Sequence, residues 1–282
     1  MTNAPQIIDS TDDQVALSLE ILKTYEPQQR PYYGCFSGGK DSVVIKQLAE
    51  MAQVNIEWHY NVTTIDPPDI YKFIRNVHPD VIWHYPKEHF FKKMIKRGYP
   101  TRLTRWCCAE FKEFGGTQPN EIKVTGIRAA ESARRAKMWK VFTRWNGVKN
   151  SMASWVLNPI LSWTEEDVWN FIFKNRLAYC SLYDEGFSRL GCIGCPMGRK
   201  KNRQLEFSRW PQYEKAWRLA FKRLWDKRRK DNPYITRGKH KGELWPGMPN
   251  IKDSDELFEW WLNDGRYPKN ECQGEGGLLD GI

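Results

Sequence analysis

Six consecutive residues, Ser37-Gly38-Gly39-Lys40-Asp41-Ser42, bring together two hydroxyls, two glycines, a cation and a carboxylate. Glycines let main-chain N–H groups turn towards one point, and a helix starting there adds positive potential, so the stretch suits an anion such as a phosphate. Ser37 and Ser42 add hydroxyl donors and Lys40 a mobile charge. The pattern is not GxxxxGK[ST], because one residue separates Ser37 from Gly39 and Asp follows the Lys. A plain strand-to-helix turn would need the glycines but not this set of Ser, Lys, Asp and Ser.

The second group is the cysteines, seven in number, at positions 35, 107, 108, 180, 192, 195 and 272. An odd count, in a chain whose first residues show no basic region followed by an apolar core, argues for metal or redox chemistry over a disulfide framework. Cys107-Cys108 and Cys192-Ile193-Gly194-Cys195 supply four thiolates, able to hold zinc or an iron–sulfur cluster. The tandem pair is an awkward zinc chelate. Cys35 and Cys180 read as small buried residues. Cys272, in "KNECQGEGG", is a candidate nucleophile with no basic neighbour to lower its pKa. The five histidines, 59, 78, 84, 89 and 240, show no metal spacing and read as structural or surface groups.

These groups need elements to hold them. "YYGCF" reads as a strand ending at the glycines, with "VNIEWHYNV", "VIWHY" and "EIKVTGI" as further strands. Between them, "PDIYKFIRNV" has helical spacing after Pro67 and Pro68, and "EHFFKKMIKRG" reads as a helix stopped by Gly98. Thr11 with Gln14 can form a capping box ahead of "VALSLEILKTY". Ser162 with Glu165 can form another, placing Val168, Trp169, Ile172 and Phe173 on one apolar face. Alternating strands and helices predict an α/β fold with a mainly parallel sheet and helices on both faces.

The formal charge is +10, which suits a polyanionic partner or a phosphate-rich ligand. No run of 18 apolar residues predicts a membrane span, and the expected compartment is the cytoplasm. Beyond the last cysteine pair the texture changes to Arg, Lys and Trp: "GRKKNR" (198–203), "KRLWDKRRK" (222–230) and "TRGKHKGELW" (236–245). Trp210, Tyr213, Trp217, Phe221 and Trp225 interleave with them. Either these aromatics form a packing face with a solvated basic back, or they help to grip a DNA or RNA strand. The expected organisation is an α/β domain over 1–198, a basic Trp-rich helical appendage over 199–262 and a mobile tail over 263–282.

The glycine stretch resembles the pyrophosphate loop, SGGxDS, of the adenine nucleotide α-hydrolase superfamily. "VTTIDPPDIYKFI", "RWCCAEFK", "VTGIRAAESARR", "NPILSWTEEDVWNFI" and "LYDEGFSRLGCIGCP" are similar, in this order, to signatures of the phosphoadenosine phosphosulfate reductase family. The resemblance implies ATP, or adenosine phosphosulfate or its 3′-phosphorylated form, as ligand, with Mg²⁺ beside ATP. It implies a [4Fe-4S] cluster on Cys107, Cys108, Cys192 and Cys195, as in family members that reduce adenosine phosphosulfate. In those reductases a C-terminal Glu-Cys-Gly-His-like tail carries the nucleophile; here Glu271-Cys272 is present but Gln-Gly-Glu follows.

Roles follow from that resemblance. Ser37, Gly38, Gly39, Lys40, Asp41 and Ser42 would cradle the β and γ phosphates. Lys40 would offset charge on leaving pyrophosphate and Asp41 would ligate Mg²⁺. Arg105, Lys112, Arg128, Arg134 and Arg135 are candidates for the α phosphate, a sulfate or an acceptor. Asp66 would contact ribose or metal, or cap the helix after Pro67.

Two enzymatic readings share this pocket. In one, an acceptor in DNA or tRNA is adenylated by ATP and then receives sulfur, with a cysteine desulfurase or thioredoxin-like protein as partner. In the other, Cys272 attacks the sulfonyl sulfur of a sulfonucleotide and sulfite is released. The intact loop favours ATP, because dedicated sulfonucleotide reductases have a degraded one; ATP sulfurylase small subunits keep the loop but lack the four cysteines. A nucleic-acid-binding module with a structural metal is a third reading, which leaves the loop without a purpose.

Overall fold

Short runs rich in aromatic and β-branched residues form the strands, and amphipathic runs between them the helices. The computed structural model describes residues 10–113, 121–145, 154–231, 234–235, 242–245 and 251–264. Its strands are β1 (Tyr32–Cys35), β2 (Ile56–Asn61), β3 (Ile82–His84), β4 (Ile122–Val124), β5 (Phe142–Trp145) and β6 (Ser154–Leu157). They form one sheet in the order β3-β2-β1-β4-β6-β5, parallel throughout except for the β5–β6 pair. From β1 the chain first steps outward to β2 and β3, then returns to lay β4 on the other side of β1. The order therefore reverses between β1 and β4, the place where open α/β sheets leave a crevice at the carboxyl ends of their strands.

The helices are α1 (Ser10–Thr24), α2 (Lys40–Ala52), α3 (Pro68–Val77), α4 (Phe90–Arg97), α5 (Trp106–Phe111), α6 (Ala133–Met138), α7 (Glu165–Lys174), α8 (Lys200–Arg209), α9 (Pro211–Asp231) and α10 (Ser254–Leu262). The chain divides into two compact units, one within Met1–Phe90 and Arg105–Ile193, the other within Phe91–Thr104 and Gly194–Ile282.

In the first unit α1, α2 and α7 pack together. Val44, Ile45 and Leu48 of α2 are fully buried, as are Trp163, Val168 and Ile172 around α7. Polar ties accompany the apolar contacts: the Trp163 indole N–H donates to Ser18 Oγ at 3.1 Å, and Ser18 Oγ donates to the Pro159 carbonyl at 2.9 Å. With these partners met, burying the polar atoms costs little.

In the second unit Trp217, Phe221, Phe258 and Trp261 form an aromatic core across α9 and α10, with Trp217 and Trp261 stacked at 4.7 Å. Arg203 is fully buried there. Its guanidinium donates to the Leu262 carbonyl at 2.7 Å, to Asp264 at 2.6 Å and to the Pro196 carbonyl at 3.3 Å. One member of the basic "GRKKNR" stretch is thus a packing device, and Trp210, Trp217 and Phe221 are core residues.

Several local expectations need correction. The cap of α7 is Thr164 with Asp167, in a full capping box, and not Ser162 with Glu165. Thr164 stands next to the first helical residue, which frees Glu165 to point elsewhere. Phe173 is 60% exposed and leaves the apolar face, which Phe171 joins instead. Thr11 lies inside α1, and Gln14 Oε1 accepts a hydrogen bond from Ser162 Oγ at 2.7 Å. Asp66 does not cap α3, whose cap position is Pro67. No described helix is long and apolar enough to cross a membrane.

Candidate functional site

The turn after β1 carries out the expected change of direction. Gly38 has φ +73°, and a Cβ there would meet Ile70 Cγ2 at 2.9 Å, so only glycine fits. Gly39, the cap residue of α2, makes no side-chain cap bond, and helix starts of this kind favour anions. Ser42 Oγ donates to the Gly39 carbonyl at 2.7 Å, and Ser37 Oγ to Ser42 Oγ at 3.3 Å. The Gly39 amide turns to Ser37 Oγ at 3.4 Å, and the Lys40 amide donates to the Tyr183 hydroxyl at 2.9 Å. A hydroxyl oxygen thus already occupies one of the positions a phosphate oxygen would take.

Four charges interlock beside the turn. Lys40 Nζ lies 3.2 Å from Glu165 Oε1. Arg128 NH2 lies 3.0 Å from Glu165 Oε2, and Arg128 Nε donates to Asp41 Oδ1 at 2.7 Å. Lys40 and Arg128 are buried, and Lys40 Nζ also donates to the Ser188 carbonyl at 3.3 Å and faces the Tyr183 ring at 5.2 Å. Gly126 permits this approach, since a Cβ there would stand 2.9 Å from Asp41 Cβ. Burial alone would lower the Arg128 pKa, but Asp41 and Glu165 raise it above the ordinary value. Burial would raise that of Glu165, yet Lys40 and Arg128 hold it below the usual range. Arg135 is pulled down, first by burial and also by Arg189 and Arg128, against the pull of Glu131 and Asp41. The cations around Asp41 are thus matched by carboxylates of the protein, so an anion would have to compete with these for Lys40 and Arg128.

Next to the turn a cleft of about 150 Å³ is lined by Ser37, His59, Asn61, Thr63, Asp66 and Lys112, among others. Asp66 is buried and accepts from the Thr63 amide at 2.8 Å and the Tyr71 hydroxyl at 3.1 Å, fixing the loop after β2. Not every expected residue joins. Arg105 is exposed at the start of α5. Arg134 is exposed too and turns to its own helix, donating to Met138 Sδ at 3.2 Å.

Cys107 and Cys108 open α5, and a hydrogen bond from Cys107 pulls the Cys108 thiol below its ordinary pKa, with Lys112 and Arg105 assisting and burial opposing. Cys192 Sγ bonds Thr63 Oγ1 at 3.4 Å. Cys195 belongs to the second unit, and Cys272 lies outside the described residues. Among the described residues, no three His, Cys, Asp or Glu side chains stand together as a metal-holding group. For a divalent ion, one oxygen of Asp41 is taken by Arg128; Mg²⁺ asks for only one or two carboxylates when phosphates supply the rest. Cys180 is buried, as expected, whereas Cys35 lines the cleft.

Glu165, Tyr183 and Arg189 are the residues sequence reasoning passed over. Glu165 carried a usable signal, since Thr164 with Asp167 completes the cap and leaves Glu165 unassigned. Tyr183 and Arg189 lie in the family-like stretch "LYDEGFSRLGCIGCP", but nothing in that stretch by itself gave either a role. Two of the histidines, read as structural or surface groups, meet across strands: His59 Nδ1 and His84 Nε2 are 2.9 Å apart, brought together by strand pairing rather than by spacing along the chain.

The sequence profile of the phosphoadenosine phosphosulfate reductase domain matches residues 32–197. An uncharacterised protein of Methanocaldococcus jannaschii is 29% identical over 255 residues, 86% of this chain and 59% of the relative. A second from that organism is 30% identical over 219 residues, 70% of this chain and 44% of the relative. The chain thus spans about half the length of these curated relatives. The adenosine 5′-phosphosulfate reductase of Staphylococcus haemolyticus is 29% identical over 231 residues, 73% of this chain and 88% of that protein. Among solved structures, the phosphoadenylyl-sulfate reductase of Candida auris in its phosphate complex gives a TM-score of 0.46 at 19% identity, over 68% of this chain and 97% of that one. Candida glabrata FMN adenylyltransferase with FAD and inorganic pyrophosphate gives 0.47 at 16% identity, over 68% and 66%.

Proposed function

The chain belongs to the phosphoadenosine phosphosulfate reductase domain family, and from that premise we propose that it is an ATP-using sulfurtransferase. The turn Ser37–Ser42 holds the β and γ phosphates of ATP. An acceptor oxygen in DNA or tRNA attacks the α phosphorus, the bond to the β phosphate breaks and pyrophosphate leaves. Sulfur from a persulfide, supplied by a cysteine desulfurase, then displaces AMP, and a thioredoxin-like protein provides the two electrons that balance the persulfide.

The observation that carries this reading is the meeting of Lys40 and Arg128, both buried, beside an uncapped helix start. In the transition state charge develops on the oxygen bridging to pyrophosphate, and buried cations aimed there stabilise it more than exposed ones would. Asp41 positions Arg128 through the 2.7 Å bond. Asp66 holds the loop against which the adenosine half would rest. Lys112 and Arg135 are assigned to the α phosphate or acceptor, with Arg105 and Arg134 at the periphery.

A [4Fe-4S] cluster on Cys107, Cys108, Cys192 and Cys195 is a separate proposal, supported by the order of the cysteines alone. No step above passes through a metal. Iron and sulfide analysis of anaerobically purified protein tests it, and an unchanged visible spectrum in Cys107→Ser refutes it.

The second reading, reduction of adenosine phosphosulfate with release of sulfite, draws support from the likeness to the staphylococcal reductase over most of that protein's length. One anaerobic assay separates the two. Pyrophosphate release from ATP is followed with DNA, tRNA or no acceptor, alongside sulfite release from both sulfonucleotides. Acceptor-dependent pyrophosphate supports the first reading; sulfite release that requires Cys272 replaces it with the second.

A further inference from the structure

A protein surface normally carries its two signs of charge in near balance, so a strong bias confined to one unit tells what that unit meets. The second unit, Phe91–Thr104 with Gly194–Ile282, holds 24 Lys and Arg against 13 Asp and Glu, a formal +11. The first unit holds 20 against 21 and is close to neutral. The excess charge of the chain therefore resides in the second unit.

α9 concentrates it. Its 21 residues span about 31 Å at about 1.5 Å per residue. Trp217, Ala220, Phe221 and Leu224 are buried and fix which side of the helix faces the core. At about 100° per residue, the opposite half carries Lys215, Leu219, Lys222, Arg223, Asp226 and Lys230, all exposed. Seven-residue spacing, about 10 Å along the axis, sets them in three lines. Lys215 and Lys222 form one margin, Arg223 and Lys230 the other, and Leu219 and Asp226 lie between. Asp226 is 3.6 Å from Lys222. Among the described residues, Lys215, Arg223 and Lys230 form no ion pair, unlike Arg218 and Lys227 of the same helix.

The chemistry of this half names its partner. Single-stranded nucleic acid is held by rings on which bases stack, and α9 keeps Trp217 and Phe221 in the core and Tyr213 and Trp225 half-buried. An amphipathic helix meets a membrane by sinking its apolar side into the lipid, whereas that side of α9 is already covered by its own unit. A protein interface centres on aromatic or aliphatic anchors, and Leu219 is the one such side chain on this half. The phosphates of a duplex need only cations. A helix about 10–12 Å across fits the major groove of B-form DNA, about 12 Å wide with a phosphate row along each side. The two margins of cations match those rows. The deep major groove of A-form RNA is too narrow to admit them.

We propose that the outer half of α9 lies in the major groove of double-stranded DNA. Lys215 and Lys222 contact phosphates of one strand, Arg223 and Lys230 those of the other. Contacts of this kind position a duplex without reading its sequence. Asp226, on the midline, opposes binding by its charge. The assignment gives the DNA acceptor of the proposed function a place on the protein; it rests on that reading in nothing else, since DNA binding is measured without ATP.

The test is fluorescence anisotropy of a labelled DNA duplex with the whole protein, in the absence of nucleotide. The duplex binds, and log affinity falls against log salt with a slope of roughly −4, as four phosphate contacts require. The double variants Lys215→Gln/Lys222→Gln and Arg223→Gln/Lys230→Gln each weaken binding about tenfold and make that slope shallower by about 2. Asp226→Asn strengthens binding. Lys23→Gln/Lys72→Gln, which removes the same charge from exposed positions of the first unit, leaves it as in wild type. Every substituted side chain is exposed, and circular dichroism checks that each variant keeps its fold. Absence of duplex binding overturns the assignment, as does an equal loss in the first-unit control. So does binding of single-stranded DNA, duplex RNA, polyglutamate or anionic vesicles as tight as that of duplex DNA. Duplex binding of the expected pattern with no acceptor-dependent pyrophosphate release upholds it and removes the proposed function instead.

Discussion

Lys40 opens α2, Glu165 opens α7, and their charged ends meet at 3.2 Å. Two helix starts face one site, each contributing positive potential, and a carboxylate of the protein itself sits where they converge. Glu165 therefore plays the part of a resident anion, holding Lys40 and Arg128 together. On the proposed function, a phosphate would have to take these cations from it.

Removing that competitor should strengthen phosphate binding. In Glu165→Gln, pyrophosphate or ATP affinity measured by calorimetry rises about fivefold, the equivalent of roughly 1 kcal/mol for a pair with one exposed partner. A fall in affinity would instead make Glu165 the residue that positions Lys40 for its ligand.

The two glycines of the turn should respond differently. Gly38→Ala meets Ile70 at 2.9 Å and forces a left-handed conformation, at a cost of about 1–3 kcal/mol. Gly39→Ala meets only Ser37 and Tyr183 oxygens at 3.4 Å. Denaturant melts should show a clear loss for the first and little change for the second, and nucleotide binding should follow the same order.

Arg203 is the group whose loss the second unit should tolerate least. Arg203→Met removes the cation paired with Asp264 at 2.6 Å and leaves two carbonyls short of a donor. A loss of about 3 kcal/mol is expected. Near-ultraviolet circular dichroism of the Trp217–Trp261 stack should weaken as it unfolds, and a spectrum and melt like wild type would contradict the role.

The His59 pair gives a pH dependence. Burial, assisted by His84, lowers the His59 pKa from 6.5 to about 4. The unfolded chain therefore takes up a proton first as the pH falls, so stability is full above 6.5 and declines through the window down to about 4. His59→Phe should flatten that decline in urea melts at successive pH values. An identical slope would mean that other groups govern it.

Much of the frame was legible because it is written locally. Pro67-Pro68 followed by an amphipathic run gave α3, Gly98 stopped α4 with φ +92°, and the glycines after "YYGCF" marked the turn. The antiparallel pair β5–β6 and the helix α8 were not foreseen. The first has little alternation within four residues, and the second is so basic that no apolar face announces it. Phe91–Thr104 also joins the second unit, far from the rest of it along the chain.

The site divides in the same way. The residues of the turn itself, Ser37 to Ser42, could be chosen from the sequence, because a strand, two glycines and a helix start need only neighbouring residues to form an anion nest. Which side chains answer them was decided by folding: Glu165 and Tyr183 reach Lys40 across 125 and 143 positions. Short-range periodicity encodes the torsions and caps of single elements. Partnerships between elements depend on strand order and on how helices pack, which no window of residues contains.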